Sequence, residues 1–301
     1  MSVERTQTDP LPYGVAPEGY RLPAETRPGR VRLQVAELDR SVEYYESVLG
    51  LRAIGRDGGY AAMGVPGASS ALVELHESRG ATPVPRRGRL GLYHFAVLLP
   101  DRLALARFAA HLVRMGLRPG ASDHRVSEAL YLNDPDGLGV EVYADRPRSA
   151  WRRSDRELVM STDPLDLAAL MQVAEGEAWT GAPRGTKIGH VHLHVGDLAR
   201  AEAFYHQGLG LDKVVWSYPG ALFLSAGGYH HHLGVNTWAA GATRPGANDA
   251  RLLEWELVLP FESDVEAALD HLEGQGQSVE ERGRGEGRVL DPWGTPLRLR
   301  S

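Results

Sequence analysis

The stretch Ile188-Gly189-His190-Val191-His192-Leu193-His194-Val195-Gly196-Asp197-Leu198 decides how this chain is read. Its residues alternate as the two faces of a pleated strand do. His190, His192 and His194 therefore share one face, and Val191, Leu193 and Val195 the other. Three imidazoles on one side of a strand opened by Gly189 make a poor core. They suit a metal pocket, because neutral imidazole is the commonest nitrogen ligand of iron, zinc and copper. Each histidine taken alone also fits a structural role. The weight comes from the repeat to which the strand belongs.

Val31-Arg32-Leu33-Gln34-Val35-Ala36-Glu37-Leu38 matches the run from Val191 to Leu198, 160 residues further on. Leu49-Gly50-Leu51 falls on Leu209-Gly210-Leu211 and Leu99-Pro100 on Leu259-Pro260 at the same offset, and Asp134-Pro135 falls on Asp291-Pro292 at 157. After the strand at Val31, Val42, Tyr45 and Leu49 recur at helical spacing, and Gly50 closes that helix. Short strand-like runs follow at 51–56, 59–63 and 70–76, which makes the unit β-α-β-β-β. The order returns from Tyr93, with a helix over 101–115 and strands over 129–132 and 139–143. Between these strands, Asn133-Asp134-Pro135-Asp136-Gly137 has the chemistry of a tight turn. Four such modules are predicted, at 28–80, 88–147, 187–240 and 250–301. The class is α+β. The expected organisation is an irregular arm over 1–27, a first domain over 28–147, a connector over 148–186 and a second domain over 187–301. One short helix is expected in the connector, over 164–174.

Composition narrows the chemistry. The chain has 301 residues, a formal net charge of -6, 43% hydrophobic and 24% charged residues, which are globular values without an electrostatic footprint for nucleic acid. No apolar run approaches the roughly 20 residues of a membrane span, and no basic start leads into an apolar segment, so a soluble, cytoplasmic protein is expected. With no cysteine, there is no disulfide framework and no thiol nucleophile. A metal would have to be held by His, Asp or Glu.

Four βαβββ modules with these signatures resemble the vicinal oxygen chelate superfamily, which also holds glyoxalase I. Within it they are most similar to type I extradiol ring-cleaving dioxygenases of the catechol 2,3-dioxygenase kind. That resemblance implies modules paired into half-barrels, with Fe(II) held by two histidines and one glutamate; Mn(II) accepts the same ligands. Ile188-Gly189-His190 and Leu92-Tyr93-His94-Phe95 match the two histidine strands. The run from Tyr131 to Glu141 matches the family's Tyr-x-x-Asp-Pro-x-Gly-x-x-x-Glu ending. The implied triad is His94, Glu141 and His190, a set that leaves three positions of an octahedral ion open. One departure stands out. In the commonest members the metal modules are the third and fourth, but here Glu254 or Trp255 stands where His94 does, Arg298 where Glu141 does and Arg30 where His190 does. Modules one and four, or three and four, therefore cannot build the site, whereas modules two and three can, either within one chain or by exchange between two; a homo-oligomer is compatible with both.

The same resemblance suggests roles around the triad. Tyr229-His230-His231-His232-Leu233-Gly234-Val235 is expected as the last strand of module three, with His231 facing bound dioxygen and His230 and His232 on the opposite face. Tyr131 matches the tyrosine near the substrate oxygen, and His124 resembles the second acid/base histidine. His192 should line the pocket floor, and Trp216, Tyr218, Tyr229 and Trp238 its walls. The implied partners are a catecholic substrate and O2, and the implied product is a 2-hydroxymuconate semialdehyde. Two other classes are weighed on the same scaffold. A glyoxalase-like isomerase or lyase usually needs a fourth ligand, Glu or Gln, on the last strand of the other module, and the run from His230 to Trp238 holds no carboxylate. A non-catalytic binder of small aromatics often lacks the triad altogether.

Overall fold

The computed structural model describes residues 13–301; residues 1–12 of the expected arm lie outside them. Module one runs β1 (Arg27–Val35), α1 (Leu38–Ser47), β2 (Arg52–Asp57), β3 (Tyr60–Gly64) and β4 (Ala71–Glu77). Module two runs β5 (Gly91–Leu98), α2 (Arg102–Arg114), β6 (Gly120–Asp123), β7 (Ser127–Asn133) and β8 (Gly139–Asp145). The connector holds three two-residue strands, β9 (Arg153–Ser154), β10 (Glu157–Leu158) and β11 (Asp163–Pro164), and the helix α3 (Leu167–Gln172). Module three has β12 (Lys187–His194), α4 (Leu198–Glu202) widening into a π-turn over Ala203–Gly208, β13 (Asp212–Val215), β14 (Ala221–Ser225) and β15 (Leu233–Asn236). Module four closes with β16 (Arg251–Val258), α5 (Glu262–Gly274), β17 (Val279–Gly283), β18 (Glu286–Leu290) and β19 (Pro296–Arg300).

Alternation explains the central strands. Val31, Leu33 and Val35 of β1, and Val191, Leu193 and Val195 around β12, are fully buried in one continuous apolar core. Their alternate residues are left to the opposite face. The helices start where a side chain satisfies a free backbone amide: Asp101 accepts from Ala104 N at 2.8 Å before α2, and Asp197 from Arg200 N at 2.8 Å before α4.

The strands form two large sheets whose composition departs from chain order. One runs β17-β18-β19-β16-β1-β4-β3-β2, and the other β11-β6-β7-β8-β5-β12-β15-β14-β13. Modules one and four thus share a sheet, as do modules two and three, whereas the expected domains grouped 28–147 and 187–301. Charge supplies the physical reason. Pairing β1 with β16 sets Arg32 opposite Glu254, while pairing β5 with β12 sets His94 opposite His192. Grouping in chain order would put Arg30 and Arg32 beside the histidines and take from the buried Glu256 and Glu254 their ion pairs with those two arginines. Both pairings are made within one chain.

Two expectations about strands are corrected. The run over 120–123 pairs with β7 as an additional strand; Gly-Ala-Ser-Asp has no alternation to reveal it. The segment 229–235 is a strand only from Leu233. Gly227 and Gly228 both take left-handed backbone (φ 61° and 64°), and the resulting turn delays the ladder with β14 until Leu233 meets Leu224.

Candidate active site

β5 and β12 lie side by side in the middle of their sheet, antiparallel, and each carries one extra residue just before its candidate ligand. On β5, Tyr93 is inserted between the pairs Leu92–Leu193 and His94–His192. On β12, Gly189 is inserted between Ile188–Val97 and His190–Ala96. Such bulges re-aim the side chains that follow. β8 runs parallel to β5 with Glu141 beside Ala96, whose small side chain leaves the carboxylate room.

The three groups converge. The Glu141 Oε2 lies 2.9 Å from His94 Nε2 and 3.1 Å from His190 Nε2, and one ligand atom from each residue falls within 4.8 Å of the others. All three side chains are buried. His94 Nε2 makes no hydrogen bond despite its nearness to the carboxylate, which leaves a buried polar atom aimed at a common point. Burial pushes the His190 pKa down to about 4. Burial alone would raise the Glu141 carboxyl, but His190 and then His94 outweigh it and hold it well below the usual range. Two neutral imidazoles and one carboxylate, all desolvated, fit a single divalent metal ion.

The position related to Glu141 in module three is Gly234, which stands beside His192 as Glu141 stands beside Ala96. A Cβ at Gly234 would lie 2.9–3.0 Å from three atoms of the His192 ring, so His192 fills the space a fourth ligand would need. In the other sheet the corresponding ground is taken by ion pairs. Arg30 reaches Glu256 and Glu74 at 2.7 Å each, and Glu254 meets Arg298 at 2.9 Å, Arg32 at 3.3 Å and Arg288 at 3.3 Å. Arginines that neutralise every carboxylate there exclude a second cation.

The triad opens onto a cavity of about 300 Å³. His192, His231, Tyr131, His124, Tyr218 and Trp238, all singled out in the sequence, line it. His231 packs on His190 with ring centroids 4.1 Å apart and touches Phe223 edge-on at 4.9 Å. His124 Nδ1 lies 2.6 Å from the Ser161 carbonyl oxygen, which can only accept, so Nδ1 carries the hydrogen. Its Nε2 is then bare and accepts from the Tyr131 hydroxyl at 2.6 Å. His230 and His232 do not line the cavity; His232 Nδ1 instead accepts from Ala226 N at 3.2 Å.

Two expected wall residues lie elsewhere. Trp216 is partly exposed at the rim of β13, its backbone N donating to Glu157 Oε1 at 2.5 Å. Tyr229 is set behind the wall, its hydroxyl 2.7 Å from that of Tyr143 and 3.1 Å from Asp145 Oδ1. The turn before β15 accounts for the place of Tyr229. Residues that the sequence left unassigned also reach the cavity: Tyr93, Phe223 and the connector residues Met160, Ser161 and Thr162. Strict alternation places Tyr93 opposite His94, and only the bulge brings both to one space. Nothing in the connector's composition marks 160–162, whose placement depends on β11 pairing with β6.

Paired βαβββ modules that aim two imidazoles and a carboxylate into one cavity define a class of metal-site proteins, and the comparisons identify the family. The model of the Glyoxalase/Bleomycin resistance protein/Dioxygenase superfamily matches residues 27–142 and 187–299. A catechol-2,3-dioxygenase of Bacillus subtilis (strain 168) is 43% identical over 273 residues, covering 89% of this chain and 94% of that protein. Among solved structures, a putative dioxygenase from Bacillus subtilis superposes with a TM-score of 0.63 at 13% identity, covering 93% of this chain and 86% of the other. Glyoxalase I from Zea mays gives 0.53 at 18% identity, with 92% of each chain covered. These two show the shared fold. The chain belongs to the Glyoxalase/Bleomycin resistance protein/Dioxygenase superfamily. Within it the chain is an oxidoreductase of the dioxygenase type.

Proposed function

We propose that the protein cleaves the ring of a catechol beside its two vicinal hydroxyls, using O2 and one Fe(II) held by His94, Glu141 and His190. The observation that carries this reading is the convergence of those three buried ligand atoms within 4.8 Å, on a chain 43% identical to a catechol-2,3-dioxygenase. When bound, the ion supplies a Lewis acid for the two catechol oxygens and a redox-active centre for dioxygen. Every other contribution comes from the chain. Tyr131, donating to His124, offers its hydroxyl oxygen toward the substrate and orients one ring oxygen. His231, its ring held against His190, accepts a proton on the cavity side. The bare Nε2 of His124 takes the Tyr131 hydroxyl proton as that hydroxyl accepts one from the substrate, and gives it back through Tyr131 as the ring opens. The product is a 2-hydroxymuconate semialdehyde carrying both oxygen atoms.

The cavity also limits the substrate. Its volume is at the lower end of the ~300–1,000 Å³ common for small-molecule sites. Its walls are aromatic, with Tyr93 and Trp238 crossing edge-to-face at 5.7 Å and Tyr218 and Phe223 likewise at 5.7 Å. No lysine or arginine lines it among the described residues. Catechols with uncharged ring substituents fit such a space, and a carboxylated ring would find no counter-charge. Gly234 argues against an isomerase with four protein ligands.

Anaerobic loading with Fe(II) or Mn(II), followed by oxygen uptake with catechol and alkylcatechols, tests the proposal. Uptake with Fe(II), and both atoms of labelled O2 recovered in the product, is the expected result. Saturated metal binding with no oxygen consumed on any catechol would overturn it.

A further inference from the structure

Behind His231 lies a set of polar groups that the proposed reaction does not use. His231 Nδ1 is 2.8 Å from His230 Nδ1, and His230 Nε2 is 2.9 Å from Asp145 Oδ1. Tyr229 donates its hydroxyl hydrogen to the same Asp145 oxygen at 3.1 Å, and the Tyr143 hydroxyl is 2.7 Å from that of Tyr229. His230 is fully buried, its ring between those of Trp151 (5.4 Å) and Tyr143 (5.9 Å), whereas the Asp145 side chain is partly open to solvent. The direction of each hydrogen bond follows from the chain's end. A carboxylate can only accept, so His230 Nε2 carries a hydrogen and its Nδ1 is a bare acceptor. His231 must then donate from Nδ1, and its Nε2, which makes no bond within the chain, is left bare toward the cavity. The hydrogen of Tyr229 is already given to Asp145, so Tyr143 donates to Tyr229. All the donors run toward one carboxylate.

We infer that His230 and Asp145 are positioning residues that hold His231 in the tautomer with Nε2 bare and facing the substrate cavity. This rests on the ring-cleaving role proposed for His231, but the tautomer itself can be measured without turnover. In neutral imidazole either nitrogen can carry the hydrogen, and a base that presents N–H to the cavity cannot accept a proton there. The sequence placed His230 on the far side of a strand from His231. The turn at 227–228 instead brings the two rings together, tilted and with centroids 4.6 Å apart, and lets one lock the other. β8 supplies both layers, since Glu141, Tyr143 and Asp145 alternate onto one side of it.

The test uses the full chain loaded with zinc, a diamagnetic stand-in, and with Fe(II). In the zinc form, 15N NMR of the imidazoles should show His231 protonated at Nδ1 and bare at Nε2. His230→Leu should lose that preference. With Fe(II) and catechol, its single-turnover oxygen step should slow about 10–100-fold, the usual effect of removing a partner that orients a site residue, with iron content and catechol affinity unchanged. His230→Asn, whose Oδ1 can accept from His231 again, should recover to within about threefold. A merely structural His230 would not separate oxygen reactivity from catechol affinity and would not be rescued by Asn. Should His230→Leu fail to fold, Asp145→Ala serves instead: it removes the acceptor that fixes the hydrogen on His230 Nε2, and the His231 preference should be lost with it. His231 found protonated at Nε2 in the wild type, or a folded His230→Leu with unchanged tautomer or unchanged oxygen step, would overturn the inference. If no catechol is oxidised, the NMR result still decides the tautomer, and the function proposed above fails separately.

Discussion

Gly189 precedes His190 at the bulge of β12, and replacing it with Ala tests how firmly the layer behind the ligands is packed. A Cβ at this position would stand 1.8 Å from the Tyr143 hydroxyl oxygen, 2.7 Å from its Cζ and 3.0 Å from Leu98 Cβ. Tyr143 has nowhere to go: it is fully buried, 4.9 Å from the His190 ring and 5.9 Å from that of His230. Overpacking of this kind costs about 1–3 kcal/mol, and losing the Tyr143–Tyr229 hydrogen bond adds about 1 kcal/mol or somewhat more. Gly189→Ala should therefore destabilise by about 2–4 kcal/mol. Tyr143→Phe alone should cost about 1 kcal/mol, because Tyr229 keeps its bond to Asp145. Combined, the two changes remove the 1.8 Å clash and leave those at 2.7 Å and 3.0 Å. The double variant should then be more stable than the sum of the singles by about 1–2 kcal/mol, a coupling expected of touching groups. Urea denaturation of all four proteins in one metal state measures the cycle. Strict additivity within about 0.5 kcal/mol would refute the packing argument.

Four further outcomes are expected. His94→Ala, Glu141→Ala and His190→Ala should each lose metal and oxygen uptake with folding retained; wild-type turnover in any of them at full iron content removes that residue from the triad. Metal analysis should find one ion per chain, since Arg30, Arg32, Arg288 and Arg298 occupy the other sheet's equivalent ground; two ions, with the second lost in Glu254→Ala, would contradict this. His231→Phe should leave iron content and catechol binding near normal while slowing the oxygen-dependent step by roughly two to four powers of ten, checked by single-turnover kinetics. Burial pushes the His232 pKa from 6.5 down to about 3, so the unfolded chain takes up a proton before the folded one does, and stability falls as pH drops through that window. His232→Asn, which keeps an acceptor for the Ala226 amide, should abolish about 2 kcal/mol of the loss between pH ~6.5 and ~5, measured by urea denaturation.

The period-2 pattern of Val191, Leu193 and Val195 against His190, His192 and His194, and the repeat at 160, were enough to read four modules, whereas His94, Glu141 and His190 were singled out by their resemblance to the family's motifs. They worked because burial of one strand face and polar function on the other are both written in local order. What stayed hidden depends on single inserted residues or on distant pairing. Tyr93 enters the cavity through a bulge that alternation does not foresee, and the turn at 227–228 moves Tyr229 from the wall to the layer behind it. Ser161 meets His124 only because a two-residue strand of the connector joins the sheet's edge. Which modules share a sheet was legible in part. The arginines at positions 30 and 298 ruled out a metal site in modules one and four, though not the way the chain arranges itself around that exclusion.

The two metal-bearing modules start from one plan and diverge at a single pair of facing positions. In module two, Ala96 is small and its neighbour on β8 is Glu141; in module three, His192 is large and its neighbour on β15 is Gly234. Volume is thus exchanged across each strand pair, carboxylate over alanine on one side and imidazole over glycine on the other. The exchange has a chemical consequence. A symmetric arrangement would place a second carboxylate opposite the first, giving four protein ligands and fewer open positions on the ion. With Gly234, the site keeps three ligands, and His192, whose Nε2 accepts from Asn236 Nδ2 at 3.0 Å, lines the cavity without reaching the ligand atoms. The Asn236 amide cannot be turned the other way, because its Oδ1 accepts from the backbone N of Trp238 at 3.0 Å. His192 is therefore held back by its own strand neighbour. On the reading proposed above, the open positions that a two-oxygen substrate and O2 require would be preserved by a glycine and an asparagine that touch neither.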